Sequence, residues 1–202
     1  MEERALNEKE SLELIARMIQ NSKRNLEIGG RNIFLLWGWL GTLVPLVVLG
    51  AVWKTGNPVW NWLWFLIPLV GWPVQYWLTR KEEKPVITYT DRVLNVVWRT
   101  VGIVGMLGIT WLCLIVNNMS LMLPGVILVV AIGSVLTGHL IEDRFLAGAA
   151  YVSLALAVAA WAVCLTAELS WNLYYFVFSA CFFIMLVVPG CVMNKKKKKK
   201  RS

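Results

Sequence analysis

The sequence predicts an all-α polytopic membrane protein, a bundle of six transmembrane helices preceded by a cytoplasmic amphipathic helix. Three observations predict it. Apolar residues make up 58% of the 202 and charged residues only 16%, whereas soluble domains carry about 25% charged residues. Mean hydropathy is +0.62. The charges are also crowded together, so that residues 33 to 53, 59 to 79, 100 to 141, 145 to 167 and 169 to 194 contain none. A helix rises about 1.5 Å per residue and needs about 20 apolar residues to cross a hydrocarbon core of about 30 Å. Each of these blocks meets that length. None shows the alternation of apolar and polar residues that a lipid-facing strand requires, which favours helices over a barrel.

Taken in chain order, residues 1–32 form the first unit. Asn7 and Glu10 have the spacing of a capping box, and Leu12, Ile15, Ile19 and Leu26 then recur at helical spacing, flanked by Leu14 and Met18. An amphipathic helix from about 8 to 28 follows, with Glu13 and Arg17 one turn apart. Gly29-Gly30 is expected to end it before Asn32 opens the first span. No secretory signal is read ahead of that span, since the first 30 residues mix acids with bases.

The transmembrane unit is residues 33–193. Its spans are placed at 33–53, 59–79, 95–116, 120–140, 145–167 and 171–193. The third and fourth come from one uncharged block, Thr100 to Ile141, about twice the length needed for a crossing; Asn117-Asn118 interrupts it, with Pro124 soon after, so it folds as a hairpin. Pro45, Pro68, Pro73 and Pro124 are candidates for kinks. Residues 194–202 form a basic tail too self-repelling to fold.

Short cytoplasmic loops retain Lys and Arg. The segment before the first span holds six, the stretch 80–92 four, the turn 141–144 one and the tail seven, while the opposite side holds only Lys54. Both termini are therefore placed in the cytoplasm. Trp and Tyr favour headgroup layers. Trp53, Trp60, Trp62, Trp171, Tyr174 and Tyr175 would lie in the outer belt, and Trp37, Trp77, Tyr89 and Trp98 in the inner one.

Several function classes are excluded or weakened. The tail supplies seven units of the net charge of +8, so no basic folded face for nucleic acid is expected. Cys113, Cys164, Cys181 and Cys191 sit singly in apolar blocks without metal or redox spacing and read as apolar fillers. A disulfide between Cys113 and Cys164 at the outer face is the one alternative. No histidine pair, phosphate loop or nucleophile elbow is present, so no catalytic residue, cofactor or metal is assigned. No Asp or Glu lies within a span, which disfavours proton-driven transport.

Ionisable groups near lipid are the default functional candidates. Arg99 lies one or two turns into the third span, after Thr90-Asp91, and either snorkels to the headgroups or contacts an anion. His139, the sole histidine, forms a polar cluster with Glu142 and Asp143 at a cytoplasmic turn, where Arg144 competes for the carboxylates. Gln75, Asn95, Thr100, Thr110, Ser134 and Thr137 are among the uncharged polar groups in the spans. Gly102, Gly105 and Gly108 share a sector of the third span, and Ser134 and Gly138 form a small-xxx-small pair; both read as close packing faces.

The expected partners are the bilayer, anionic headgroups at the basic tail, a cytoplasmic protein on the amino-terminal helix, and further copies of the chain through glycine-rich faces. The amino-terminal stripe would alternatively be covered by the membrane interface or the bundle ends.

Leu14-Ile15-Ala16-Arg17-Met18-Ile19 with Ser22-Lys23-Arg24-Asn25, Leu36-Trp37-Gly38-Trp39, and Thr88-Tyr89-Thr90-Asp91-Arg92-Val93 leading to Trp98 resemble stretches of uncharacterised bacterial multi-pass inner-membrane proteins. The resemblance covers mainly the first hundred residues. It implies a bacterial inner (cytoplasmic) membrane location. Proteins of that kind look similar to ones found beside small winged-helix transcription regulators, which implies an accessory, sensing or scaffold role. A small facilitative transporter or channel is the alternative, and a fully packed apolar interior would count against it.

Overall fold

The computed structural model describes residues 8–81, 89–166 and 171–192; the side chains of 8–12, 14–31, 81 and 171 are outside the description. The stripe residues Leu12, Ile15, Ile19 and Leu26 and the tail 194–202 thus lie outside the described side chains or residues. Among the described residues the fold is entirely helical. Five helices are long and apolar enough to cross a membrane: Asn32–Thr55, Tyr89–Val116, Met119–Leu140, Arg144–Thr166 and Asn172–Val192.

Helix α1 runs from Glu8 to Thr55 without interruption. The expected end at Gly29-Gly30 does not occur. Glycine inside a helix costs about 1 kcal/mol relative to alanine, which is less than the penalty of ending one helix and nucleating another. Neither residue takes a left-handed conformation; the first glycine that does is Gly56, at φ +65°, where the chain turns after Thr55.

The second crossing expected at 59–79 is built in two parts. Asn57 accepts a hydrogen bond from the Val59 amide (2.9 Å) and starts a 3-10 stretch, Pro58–Phe65, which passes into α2, Leu66–Lys81. Pro58 sits in the first turn, where its missing N–H is no loss. The α-helical part is 16 residues, which is why this segment falls short of an unbroken membrane-length helix.

Helix α3, Tyr89–Val116, begins earlier than the expected 95 and contains a π turn at Val104–Gly108. It ends at the predicted hairpin for a specific reason. Asn117 takes φ 53°, its N–H bonds the Leu114 carbonyl (3.2 Å), and the Asn118 N–H bonds the Cys113 carbonyl (3.0 Å). This is a Schellman cap with asparagine in the left-handed position. The Asn118 side chain then accepts from the Ser120 amide and opens the short 3-10 turn Met119–Leu121 before α4, Met122–Leu140. Pro124 falls in the first turn of α4, where proline is tolerated. Helix α5 is Arg144–Thr166, and α6, Asn172–Val192, holds a second π turn at Phe183–Val187.

The core lies where α4, α5, α6 and α1 meet. Ile127, Leu146, Phe178, Met185 and Leu186 are buried there around the small residues Ala131, Ala150 and Ala157. Glycines let the helices approach. A Cβ at Gly38 would stand 2.9 Å from Leu186 Cβ, one at Gly133 2.7 Å from Val101 Cγ2, and one at Gly125 2.9 Å from Ile109 Cγ2. Helix α2 leans on α1, where a Cβ at Gly71 would stand 2.7 Å from the Trp37 ring. Helix α3 packs mainly on α4 and lies at the edge: 11% of its most apolar stretch is buried, against 50% for α6.

Candidate functional site

At the α4–α5 turn, where the sequence places the polar cluster, the bonds that shape the chain are those of the backbone. The Glu142 N–H bonds the His139 carbonyl (3.2 Å), and the Asp143 N–H bonds the Gly138 carbonyl (2.9 Å), a second Schellman cap with Glu142 at φ 60°. Asp143 then caps the next helix. Its Oδ1 accepts from the amides of Phe145 (2.9 Å) and Leu146 (3.3 Å), two of the orphan donors at the start of α5. His139 is exposed, and its Nε2 lies 3.2 Å from the Tyr151 hydroxyl with the rings edge to face. Among the described residues no group of three His, Cys, Asp or Glu side chains converges as a metal site. Capping accounts for the aspartate at 143, whereas Glu142 enters its cap through the backbone, and His139 is tied to a tyrosine one helix away.

Arg99 is exposed on α3. Ile109 meets Gly125 and Val101 meets Gly133, so α3 and α4 run antiparallel in a register that puts Arg99 and His139 toward the same end of the hairpin. Trp98, its neighbour in sequence, faces inward and meets the Phe34 ring edge to face at 5.6 Å.

Inside the bundle the buried hydroxyls turn back onto the backbone. Thr42 donates to the Gly38 carbonyl, Thr137 to Gly133, and Ser179 to Tyr175, each four residues earlier. Ser153 lies within hydrogen-bond reach of the Ala149 carbonyl and, across the interface, of the Cys181 carbonyl. Ser134 is fully buried, and among the described residues its Oγ has no hydrogen-bond partner.

Three links between helices were not legible in the sequence. The Trp37 indole N–H donates to Gln75 Oε1 at 2.6 Å, joining α1 to α2. The Trp161 N–H donates to the Leu121 carbonyl at 3.2 Å. The Tyr175 hydroxyl donates to Asn61 Oδ1 at 2.8 Å while its ring stacks on Trp64. Tryptophan and tyrosine are so common in headgroup belts that the belt explanation hides such contacts. Trp53 and Trp62 are strongly exposed, as a belt requires, but Tyr174 is buried. Its hydroxyl lies 3.0 Å from Cys164 Sγ, which also faces the Ser120 carbonyl. All four cysteines are free thiols, so the alternative of a Cys113–Cys164 bridge is not realised.

A surface depression of about 400 Å³ is an open apolar groove between α1 and α2 lined by Leu36, Trp39, Leu43 and Leu78, with Asn32 also in its lining. No protein family, curated protein or solved structure matches this chain in comparison.

Proposed function

We propose that this chain is a non-enzymatic bacterial inner-membrane protein with an accessory, sensing or scaffold role, with six crossings and both termini in the cytoplasm, whose α1 presents a docking stripe to a cytoplasmic protein. The observation that carries this reading is the continuity of α1 through Gly29-Gly30. Its apolar part, Asn32–Thr55, is half of the 48-residue helix. The other half extends roughly 36 Å further at 1.5 Å per residue. A helix that lies flat in the headgroups must turn sharply where it leaves its span, and α1 has no helical break at Gly29-Gly30 to make that turn. The stripe of Leu12, Ile15, Ile19 and Leu26 is then held off the bilayer, which favours a protein as its cover over lipid.

The sixth crossing is supported by length. A 3-10 stretch rises about 2.0 Å per residue, so Pro58–Phe65 together with Leu66–Lys81 extends roughly 40 Å, more than the hydrocarbon thickness. The distribution of Lys and Arg supports the orientation, and the basic tail is assigned to anionic headgroups.

A facilitative transporter or channel has less support, because the buried hydroxyls of Thr42, Thr137 and Ser179 bond carbonyls of their own helices instead of lining a polar route between them. Photo-crosslinkers at Ile15 and Ile19 in cells test the docking reading. Crosslinks to one protein that disappear in I15E/I19E are expected. Crosslinks to lipid alone, or an unchanged set of co-purifying proteins after deletion of residues 1–28, would overturn it.

A further inference from the structure

Arg99 poses a problem that the bundle does not solve. A charge carried by a membrane span normally faces the interior or a protein partner. Arg99 is instead on the outer side of the peripheral helix α3, exposed, and among the described residues no carboxylate pairs with it or with Arg92. At 3.6 residues per turn, Arg92, Arg99 and Ile103 fall within an arc of about 40°, and all three are exposed, as is Met106 in the π turn beyond. Asn95 and Gly102 border the same strip and are exposed as well.

The order of chemistry along the strip is that of a phospholipid. Two guanidinium groups and an amide come first, near the positive end of the helix dipole. Helical side chains lean toward the amino terminus, so Arg99 is directed back toward Arg92 and the headgroup layer. Beyond them Gly102 and Gly105 leave the helix surface low, since a Cβ at either would meet nothing within 4 Å. Ile103 and Met106 continue as apolar, exposed side chains. The only acid in the first turn, Asp91, is half-buried and sits about 100° around the helix from Arg92.

We propose that this strip of α3 is a binding site for an anionic phospholipid, with Arg92 and Arg99 on the phosphate and an acyl chain along Gly102, Ile103 and Met106. It rests on the membrane reading and topology above, in which the start of α3 faces the cytoplasmic leaflet. Guanidinium suits the phosphate because it offers several donors in a fixed plane.

The test uses the full-length protein in phosphatidylcholine vesicles doped with phosphatidylglycerol, followed by gentle extraction and native mass spectrometry of retained lipid. Wild type is expected to retain phosphatidylglycerol in preference to phosphatidylcholine. Each arginine replaced by glutamine is expected to lower that preference roughly five-fold, the equivalent of one charge near an anionic surface, and R99K is expected to restore part of it. Replacing the tail lysines 195–200 by glutamine should lower overall retention of anionic lipid and leave the difference between wild type and R92Q/R99Q unchanged. Unchanged retention in R92Q/R99Q would overturn the proposal, as would loss of retention only in the tail variant or displacement of the lipid by millimolar inorganic phosphate. A change of oligomeric state in R92Q/R99Q with unchanged lipid retention would assign the strip to a second copy and also overturn it. Co-flotation with undoped vesicles reads insertion by itself, so failure of the membrane reading and failure of the lipid site give different results.

Discussion

Gly138 of α4 faces the backbone of Ala147 in α5, so closely that a Cβ at position 138 would stand 2.7 Å from the Ala147 amide nitrogen and 2.9 Å from its Cα. A side chain can rotate away from such a contact. A helix backbone can move only as a whole. G138A is therefore expected to separate α4 from α5, lowering stability by about 1 to 3 kcal/mol, the usual range for overpacking. G148A, where a Cβ meets nothing within 4 Å, should be neutral or slightly stabilising through helix propensity. Thermal unfolding of the two variants in detergent separates the effects, and equal shifts would contradict the close approach.

The α4–α5 turn yields changes of opposite sign. Glu142 at φ 60° occupies a conformation that costs an L residue roughly 1 kcal/mol, so E142G is expected to raise stability by up to that amount. D143A removes the cap on the Phe145 and Leu146 amides and should lower it by about 1 kcal/mol, with D143N close to wild type. Denaturation midpoints check both. A fall in stability with E142G would give Glu142 a part beyond capping.

Trp37 and Gln75 form a polar link in apolar surroundings. Q75L is expected to destabilise by about 0.6 to 1.7 kcal/mol, the measured range for hydrogen bonds between membrane helices. The double variant W37F/Q75L should be less destabilised than the sum of the single ones. Additivity in that cycle would mean that the 2.6 Å contact contributes no coupling.

Ser134 is buried with its hydroxyl unpartnered among the described residues. Desolvating such a group without a hydrogen bond costs about 1 to 3 kcal/mol, so S134A is expected to be neutral or stabilising. T137A, which loses a bond to the Gly133 carbonyl, should be mildly destabilising. A marked loss of stability in S134A would show that its hydroxyl has acquired a partner in the membrane.

The proposed orientation is read by reporter fusions. Alkaline phosphatase inserted after Gly56 is expected to be active, and fusions after Glu142 or at the carboxy terminus inactive. The reverse pattern would invert the topology while leaving the packing untouched.

Several features were legible because they depend on composition or on local backbone chemistry. Uncharged stretches of membrane length stand out without knowledge of neighbours, and the hairpin at Asn117-Asn118 was readable because asparagine both accepts a left-handed backbone and bonds the next turn. The candidate site was less legible. Glu142 and Asp143 attracted attention as carboxylates beside a histidine, and the structure also uses them in two helix caps, Glu142 through its backbone and Asp143 through its side chain. Gly29-Gly30 invited a break because local propensity opposes glycine in a helix, but the flanking residues carry α1 through.

By itself, the sequence determined that this chain is helical and carries several stretches apolar enough to cross a bilayer, since backbone groups in lipid must be bonded within their own segment and burial in lipid needs no particular neighbour. Which faces touch was decided by the tertiary structure. Gly102, Gly105 and Gly108 share a sector of α3 by spacing alone, but Gly102 and Gly105 face open space while Gly38, Gly125, Gly133 and Gly138 hold the helices together. The physical reason is that helical periodicity sets which residues share a face, whereas the rotation of each helix about its own axis is chosen by the fit of all the others at once.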